Sequence, residues 1–248
     1  MDRIRIDRHE AAKFSGRLIF PEDDEYDVAR LVWNRVIDRR PAVIARCTGP
    51  EDVADAVRIA REHGLTIAVR GGGHSFPGHS TCDHGMVIDL GGMRKLTVDP
   101  QERTVTAGPG LTWAEIADAT AEHGLAAVGG HVSVVGVAGL TLGGGNGWLS
   151  RTYGLACDNL LAADVVTAAD KLVTASPEEN ADLFWGLRGG GGNFGIVVRF
   201  THRLHPMPPL YAGMVIHPVE RAGAALRFLR DLNAAAPDEV SVAGAILT

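Results

Sequence analysis

The sequence predicts a mixed α+β fold in which two units of alternating helices and strands follow one another. Its 248 residues suffice for one large domain or two modest ones, and 46% hydrophobic and 22% charged residues are typical of globular proteins. Two capping-box patterns each precede a helix that ends in Glu-His-Gly-Leu, at 62–65 and 122–125. Glycine, 31 of the 248 residues, clusters in runs between the predicted elements.

The first unit contains a predicted helix followed by strands. Residues 48–51, Thr-Gly-Pro-Glu, form a capping-box pattern, and the helix they begin ends at Gly64. The apolar residues at helical spacing are Val53, Ala56, Val57, Ile59 and Ala60. A buried strand at 65–69 leads directly into glycines, and further strands are predicted at 86–90 and 104–107.

The second unit repeats this order and is followed by a third region. Residues 112–115, Thr-Trp-Ala-Glu, begin its first helix. Strands are then predicted at 162–168, 171–174 and 196–200, with a short helix at 180–187. After a proline-rich break at 205–209, the pattern predicts a strand at 211–217, an amphipathic helix at 219–233 and a strand at 239–248.

Charge and cysteine usage exclude several classes of protein. The net charge of −6 disfavours a nucleic-acid binder, which is normally basic. The charged start of the chain lacks the apolar core of a secretory signal, and no stretch approaches the ~18 apolar residues of a membrane span. We therefore expect a cytoplasmic protein without a membrane partner. Cys47, Cys82 and Cys157 are scattered and odd in number, which predicts reduced core thiols.

Four glycine runs are the most informative feature. They are residues 70–75 (first run), 129–130 (second run), 136–147 (third run) and 188–195 (fourth run). Such runs let main-chain N–H groups converge on phosphates and let flat rings approach closely. A tight turn explains any single run equally well, but four together favour a large, extended ligand. Gly190, Gly192 and Gly195 match G-x-G-x-x-G, but a predicted helix precedes them and a strand follows, which excludes a Rossmann fingerprint.

Histidines lie close to the first run and allow two interpretations. His74, His79, Cys82 and His84 could form a metal cluster, but their spacing matches no common zinc pattern, so no metal site is predicted. His74 follows three glycines at a strand end, where a neutral imidazole is a competent nucleophile toward a bound cofactor. A loop histidine that only donates a hydrogen bond stays open as the alternative.

Five motifs in order identify a family resemblance. They are VRGGGHS at 69–75, VIDL at 87–90, GVAGLTLGGGNGWLSRTYGL at 136–155, CDNL at 157–160 and LFWGLRGGGGNFGIV at 183–197. Together they resemble the FAD-linked oxidases of the vanillyl-alcohol oxidase and p-cresol methylhydroxylase (PCMH) superfamily. The resemblance runs from about residue 31 to 206 and is strongest to the berberine-bridge-enzyme-like and 6-hydroxynicotine-oxidase-like branch.

The resemblance implies a domain organisation. A PCMH-type FAD-binding domain of two α/β subdomains is expected at 36–208, divided at about 36–97 and 98–208. Residues 209–248 would begin a substrate domain, which is expected to be incomplete in this chain. Residues that contact substrate or act as a general base are expected beyond Thr248, so no catalytic residue is predicted.

The resemblance also implies cofactor contacts. Residues 70–75 would wrap the FAD pyrophosphate, and His74 would bond to the 8α-methyl carbon of the isoalloxazine. Residues 129–139 and 143–147 would follow the ribityl chain and ring, and the remaining residues would complete the adenine and flavin surroundings. The cofactor-binding residues so implied are Arg70, Gly71, Gly72, Gly73, His74, Ser75, His79, Ser80, Gly129, Gly130, Val132, Val134, Val135, Gly136, Gly139, Leu140, Gly143, Gly144, Gly145, Gly147, Asn159, Val165, Asn193, Ile196 and Val197.

Two positions refine the expected chemistry. Val132 stands where relatives with a doubly attached flavin carry cysteine, which implies single attachment through His74. Val135 stands where, in this branch, valine accompanies reactivity toward oxygen. We therefore expect an FAD-dependent oxidase that takes hydride from a small organic substrate and passes electrons to oxygen. The alternatives are a non-catalytic flavin-binding fragment and, less favoured, a metal-dependent enzyme using residues 74–84.

Overall fold

The computed structural model describes residues 14–207 and 209–246. The charged N-terminal stretch before residue 14, Pro208 and the last two residues of the strand predicted at 239–248 lie outside the described residues. The strands are β1 (Arg17–Ile19), β2 (Val43–Arg46), β3 (Ile67–Arg70), β4 (Met86–Asp89), β5 (Leu96–Asp99), β6 (Thr104–Ala107), β7 (Leu125–Ala127), β8 (Leu160–Val166), β9 (Leu172–Ala175) and β10 (Ile196–Pro206). The helices are α1 (Tyr26–Ala29), α2 (Pro50–Glu62), α3 (Trp113–Ala121), α4 (Val137–Leu142), α5 (Ser150–Tyr153), α6 (Ala181–Leu187) and α7 (Ala222–Ala235).

The first sheet is mainly parallel, with strand order β1-β2-β4-β3. β2 and β3 both run parallel to β4, and β1 is antiparallel to β2. In register, the last residues of the three parallel strands, Arg46, Asp89 and Arg70, lie side by side. The loops that leave these strands, including the first glycine run, therefore start from the same edge of the sheet.

The second sheet is antiparallel and is built around β10. Its order is β5-β6-β10-β8-β9, and β7 pairs with the far end of β10. The strand predicted at 196–200 is real but longer, since residues Leu204–Pro206 pair with β7. The proline-rich break therefore begins inside this strand rather than after it.

The two units are less alike than the sequence suggests. The predicted similarity of two α/β units is wrong, because one sheet is mainly parallel and the other antiparallel. The Glu-His-Gly-Leu repeat is instead a local feature that ends a helix. Gly64 and Gly124 adopt φ values of +64° and +65° just after α2 and α3, a backbone conformation typical of helix C-termini. The proposed boundaries at 36, 97 and 208 stay predictions, and β1 lies before the first of them.

Helix α2 packs between the two sheets. One core cluster contains Val53 and Ile59 of α2, Ile88 of β4, and Val166 and Val198 of the second sheet. Burying each such aliphatic side chain stabilises the fold by roughly 1.5–3 kcal/mol. At the end of the helix, the Arg61 guanidinium donates to the carbonyl of Ala168 and the carboxylate of Asp170, both at 2.7 Å. The two sheets are thus held together through one shared helix.

One of the two predicted capping boxes is correct. The Glu115 carboxylate accepts hydrogen bonds from the Thr112 N–H at 3.0 Å and hydroxyl at 2.8 Å. The other is wrong, because α2 begins at Pro50 after an extended Gly49. The third helical residue is then Asp52, not Glu51, and its carboxylate accepts from the Thr48 N–H and hydroxyl at 2.7 and 2.6 Å.

Most of the other predicted elements in the two sheets are present. The strands predicted at 65–69, 86–90, 104–107, 162–168 and 171–174 correspond to β3, β4, β6, β8 and β9. The helix predicted at 180–187 is α6. The sequence pattern did not predict β1, β2, β5, β7 or the short helices α1, α4 and α5.

Residues 209–246 differ from the predicted order. The helix predicted at 219–233 is present as α7, after a 3₁₀ turn at Val219–Arg221. The strands predicted at 211–217 and 239–248 are wrong over the described residues, which form no strand there. Their apolar pattern suits a strand, but no described strand pairs with them, and Tyr211 and Ile216 are exposed. Among the described helices, none is long and apolar enough to span a bilayer.

Candidate functional site

The first glycine run meets the third at a main-chain contact. The run leaves β3 at the edge of the first sheet, and Gly136 lies just before α4 in the second unit. A Cβ added to Gly72 would lie 2.7 Å from both Cα and N of Gly136, and a Cβ on Gly136 would clash with Gly72 in the same way. The absence of side chains at both positions is therefore what lets the two units touch here.

The third run also contacts the other two runs. A Cβ on Gly147 would meet the carbonyl oxygen of Gly129, and one on Gly130 would meet the Leu140 side chain. At the end of α4, the Gly189 N–H donates to the Leu142 carbonyl at 3.1 Å. The structure thus brings all four glycine runs into one continuous surface, with the third run at its centre.

Residues 131–135 are fastened beside this surface. The N–H groups of Trp113 and Ala114, at the start of α3, donate to the carbonyls of Val135 at 3.1 Å and Ser133 at 2.9 Å. Val132 and Val134 nevertheless expose more than half of their surface. The main chain of this loop is fixed while its apolar side chains face solvent.

Other exposed apolar side chains surround the glycine runs. Trp148 and Phe194 are each about half exposed. The His131 ring meets Trp148 edge to face at 4.6 Å between centroids. Because large exposed apolar patches mark binding surfaces, the exposed side chains beside the glycine runs are candidates for ligand contact. Their chemistry suits a flat, aromatic ligand.

The first run is supported by polar contacts. The Arg70 guanidinium is almost buried; it pairs with the Asp89 carboxylate at 2.8 Å and donates to the Leu31 carbonyl at 3.3 Å. The Ser75 hydroxyl accepts from the His79 N–H at 3.0 Å. The Ser80 hydroxyl is buried and has no hydrogen-bond partner among the described residues. An unpartnered buried hydroxyl close in sequence to the glycines fits a phosphate ligand.

His74 lies at the end of the first run, partly buried and stacked on Trp33. The two ring centroids are 5.1 Å apart and the planes are inclined by 24°. The hydrogen bonds of the described residues include none to a ring nitrogen of His74. The alternative of a histidine that only donates a hydrogen bond therefore finds no acceptor in the described part of the chain.

Several predicted cofactor residues have structural contacts of their own. The Asn159 amide donates to the carbonyls of Tyr153 and Leu155, both at 2.9 Å, and its oxygen faces His205 Nε2 at 2.7 Å. Because the amide nitrogen donates to both carbonyls, His205 Nε2 donates to the amide oxygen. Burial lowers the pKa of His205, which favours the neutral ring. Asn159 thus holds the loop after α5, and its role toward a ligand stays a prediction.

Three further predicted residues are core residues. The side chains of Val165, Ile196 and Val197 are buried in the clusters beneath the fourth run. A ligand contact at these positions would have to use main-chain atoms.

Asn193 is exposed, and its amide donates to the Gly190 carbonyl at 2.9 Å. It shapes the fourth run and stays available at the surface.

A buried polar cluster lies behind α4. The Thr141 hydroxyl is 3.2 Å from His202 Nε2, and the Trp113 indole meets the His202 ring edge to face. His202 Nδ1 and Trp113 Nε1 are both buried with no partner among the described residues. Burial lowers the pKa of His202 to about 4. No sequence motif indicated this cluster, because its members come from three distant elements.

The residues of the possible metal cluster do not converge. Within residues 14–207 and 209–246, no group of three or more potential ligands is close enough to hold a metal ion. Cys82 instead packs under Gly85, where its sulfur would lie 2.8 Å from an added Cβ. Cys47, Cys82 and Cys157 are free thiols as predicted, and burial raises the pKa of each.

The joined glycine runs and their apolar surroundings agree with one class of protein, the FAD-binding domains. Residues 41–176, more than half of the chain, match the FAD binding domain family. The chain belongs to this family, in the PCMH-type superfamily and its berberine-bridge-enzyme-like branch, as the motifs predicted.

Individual relatives agree with this assignment. (R)-6-hydroxynicotine oxidase of Paenarthrobacter nicotinovorans is 40% identical over 201 residues, covering 81% of this chain and 44% of that protein. The structure of xylooligosaccharide oxidase from Myceliophthora thermophila, in complex with xylobiose, superposes with a TM-score of 0.77 at 36% identity, covering 82% of this chain and 43% of that one.

A third relative carries a covalent flavin. Glucooligosaccharide oxidase from Acremonium strictum, described with a 6-S-cysteinyl, 8α-N1-histidyl FAD, superposes with a TM-score of 0.76 at 33% identity. The match covers 82% of this chain and 42% of that one. This chain therefore spans less than half the length of the relatives it matches.

Proposed function

We propose that this chain is the FAD-binding part of an oxidoreductase, an oxidase of small organic molecules, that carries its flavin on His74. The observation that carries the proposal is the continuous surface of four glycine runs with His74 at its border. When bound there, FAD would accept hydride from the substrate and pass the electrons to dioxygen. The chain's own residues would bind, orient and attach the cofactor.

The glycine runs would hold the cofactor through the main chain. Runs without side chains let phosphate oxygens approach main-chain N–H groups closely, and the Ser80 hydroxyl is a further donor without a partner in the described chain. The exposed Val132 and Val134 side chains would contact the flat ring. Arg70, which is paired with Asp89, would brace the first run rather than bind phosphate with its guanidinium.

Attachment at His74 has a balanced chemistry. His74 would hold FAD through a bond between an imidazole nitrogen and the 8α carbon. The ring nitrogen and the methyl group would each lose one hydrogen, and dioxygen would take up the two protons and two electrons as hydrogen peroxide. Support comes from the relative described with an 8α-N1-histidyl FAD.

A second attachment is not expected. That same relative also has a 6-S-cysteinyl link, but this chain has Val132 where the resemblance places cysteine. Cys157 is no substitute, because it is buried and burial raises its pKa, which disfavours the thiolate. Single attachment through His74 follows.

The substrate and acceptor complete the proposal. The relatives named above include oxidases of 6-hydroxynicotine and of oligosaccharides, so a small organic alcohol, amine or sugar is the proposed substrate class. Val135, at the position associated with oxygen reactivity, supports dioxygen as acceptor. A cytoplasmic location stays a prediction.

Acid precipitation of the flavin-loaded chain tests the attachment. Wild-type protein and His123→Ala, at an exposed position after α3, should keep yellow flavin in the pellet, with a mass increase of one FAD less two hydrogen atoms. His74→Ala should release its flavin into the supernatant. Release from the wild-type protein, or retention by His74→Ala, would overturn His74 as the attachment site.

A substrate screen tests the oxidase activity. The loaded chain should consume oxygen and form hydrogen peroxide with at least one member of a panel of alcohols, sugars and amines. Bound flavin without turnover of any panel member would instead favour the alternative, a non-catalytic flavin-binding fragment.

A further inference from the structure

Residues 31–34 are fastened across the loop that carries His74. The Trp33 N–H donates to the Gly73 carbonyl at 3.2 Å, and the Asn34 amide donates to the Phe76 carbonyl at 3.1 Å. Two hydrogen bonds therefore bracket His74 on either side in sequence. This segment precedes the five sequence motifs, and none of them predicted a role for it.

The Trp33 ring is the part of this segment that meets His74. The indole stacks on the imidazole at 5.1 Å between centroids, and it meets Phe76 edge to face at 5.4 Å. These separations lie in the range favoured for aromatic pairs, worth about 0.5–1.5 kcal/mol each. Trp33 is still 53% exposed, so its position is not explained by burial in a core.

A buried ion pair anchors the same segment from below. Arg70 donates to the Leu31 carbonyl through one guanidinium nitrogen and pairs with Asp89 through another. Asp89 is the last residue of the central strand β4. Residues 31–34, which carry Trp33, are therefore attached to the first sheet as well as to the loop that carries His74.

We propose that Trp33 is a positioning residue for the covalent attachment of flavin at His74. Its indole covers one face of the imidazole and fixes the plane of the ring, so that a ring nitrogen meets the 8α carbon in one orientation. This inference rests on the proposed function. The bond concerned is the one between the His74 ring nitrogen and the 8α carbon of FAD. Because misplacement of a reacting group by about 1 Å costs on the order of 100-fold in rate, loss of the stack should slow attachment about 10- to 100-fold.

The experiment measures attachment separately from binding. Apoprotein is mixed with FAD in air, and flavin that survives acid precipitation is followed with time, while total bound flavin is measured after gel filtration. Trp33→Ala removes the stacked ring, and Trp33→Phe keeps an aromatic ring. Trp185→Ala is the matched control, since Trp185 is 73% exposed on α6 and makes no ring contact with His74.

The expected result is a split between the two measurements. Trp33→Ala should bind FAD to the wild-type extent but attach it about 10- to 100-fold more slowly, whereas Trp33→Phe and Trp185→Ala should attach it within a few-fold of the wild-type rate. Wild-type rates in Trp33→Ala would overturn the inference alone. Loss of FAD binding in both Trp33 variants would also overturn it, because the residue would then serve binding. Acid-stable flavin in His74→Ala, or none in wild type, would overturn the proposed attachment and this inference together.

Discussion

The two-sheet body (residues 14–207) and the C-terminal segment (residues 209–246) are stabilised in different ways. The body contains four clusters of buried apolar residues, and one of them joins both sheets through α2. In the segment, α7 has no buried residue, although its apolar residues recur at helical spacing. The difference teaches that an amphipathic pattern predicts a helix but not the surface that covers it.

Hydrogen bonds connect the segment to α5 of the body. The Arg151 guanidinium donates to the carbonyls of Asn233 at 3.0 Å and Ala236 at 2.9 Å, which lie at the C-terminal end of α7. The Thr152 hydroxyl donates to the Asp238 carbonyl at 2.9 Å. A cationic side chain at a helix C-terminus satisfies carbonyls that the helix leaves unpaired. Polar contacts thus do for the segment what apolar packing does for the body.

The largest expected effect follows from the main-chain contact within the body. Gly72→Ala places a Cβ 2.7 Å from the Gly136 main chain, which cannot move away as a flexible side chain could. We expect the free energy of unfolding to fall by roughly 3 kcal/mol, at the upper end of overpacking costs, and flavin binding to be lost. Urea denaturation and FAD titration measure the two effects.

Gly139→Ala is the matched control for that variant. Gly139 lies in α4 with nothing within 4 Å of its would-be Cβ, so alanine should leave stability unchanged or raise it by up to about 1 kcal/mol. Weaker FAD binding with intact stability would place the cofactor beside α4. A Gly72→Ala protein as stable as Gly139→Ala would show that the two units do not need their contact.

Acid should destabilise the body through His202. Burial lowers the pKa of His202 in the folded state to about 4, below the ordinary histidine value, so the unfolded state binds the proton more readily. This contribution to stability is present above the unfolded pKa and is lost as pH falls from about 6.5 to 4. The free energy of unfolding should therefore fall by roughly 2 kcal/mol by pH 5. Urea midpoints at pH 7 and pH 5 give this difference.

Variants separate His202 from other acid effects. His202→Gln removes the titrating ring, so its stability should fall less between pH 7 and pH 5 than that of the wild type. His123→Gln, at an exposed position after α3, should keep the wild-type profile. An unchanged profile in His202→Gln would assign the acid sensitivity elsewhere.

Arg151→Met should loosen the segment and spare the body. It keeps much of the side-chain length but removes the donors to Asn233 and Ala236. The free energy of local opening at the end of α7 should fall by about 1–2 kcal/mol, so amide exchange there should quicken roughly tenfold. The urea midpoint of the body should stay the same. Arg227→Met, exposed on α7, serves as the control. Equal protection in both variants would mean that other contacts hold the segment.

The smallest effect is expected on the face of α7. Phe228→Ser replaces a side chain that is 68% exposed, so the stability of the body should change by less than about 0.5 kcal/mol. Val198→Ser, in the core cluster beside α2, is the contrasting variant and should be strongly destabilising. A large loss of stability in Phe228→Ser would show that α7 is covered after all.

The long helices and strands and the location of the site could be predicted from the sequence. The exact starts of helices and the contacts between elements could not. Strands such as β4 and β8 follow from continuous apolar runs, and the Thr112–Glu115 capping box follows from spacing alone. Glu51 was the wrong partner in the other box, because the spacing does not show that the helix starts one residue later. Helix α4 was missed because its residues lie within a glycine run.

The site shows the same limit in another form. The glycine runs and His74 were identified from motifs, but the contact of Gly72 with Gly136 depends on how two sheets dock. Trp33 was missed because a single tryptophan before the motifs carries no pattern, and only the fold places it on His74. Local spacing predicts which residues are available, whereas tertiary packing decides which of them meet.

The contact between Gly72 and Gly136 also bears on how a cofactor would be retained. A ligand held across this junction favours the docked arrangement by mass action, and it would escape whenever the two units separate. With the proposed bond to His74, separation would leave the flavin tethered to the first unit. Its return to the third run would then be intramolecular, at an effective concentration set by the tether rather than by free FAD. The covalent bond would thereby convert a cofactor-dependent docking into one that no dilution of FAD can reverse.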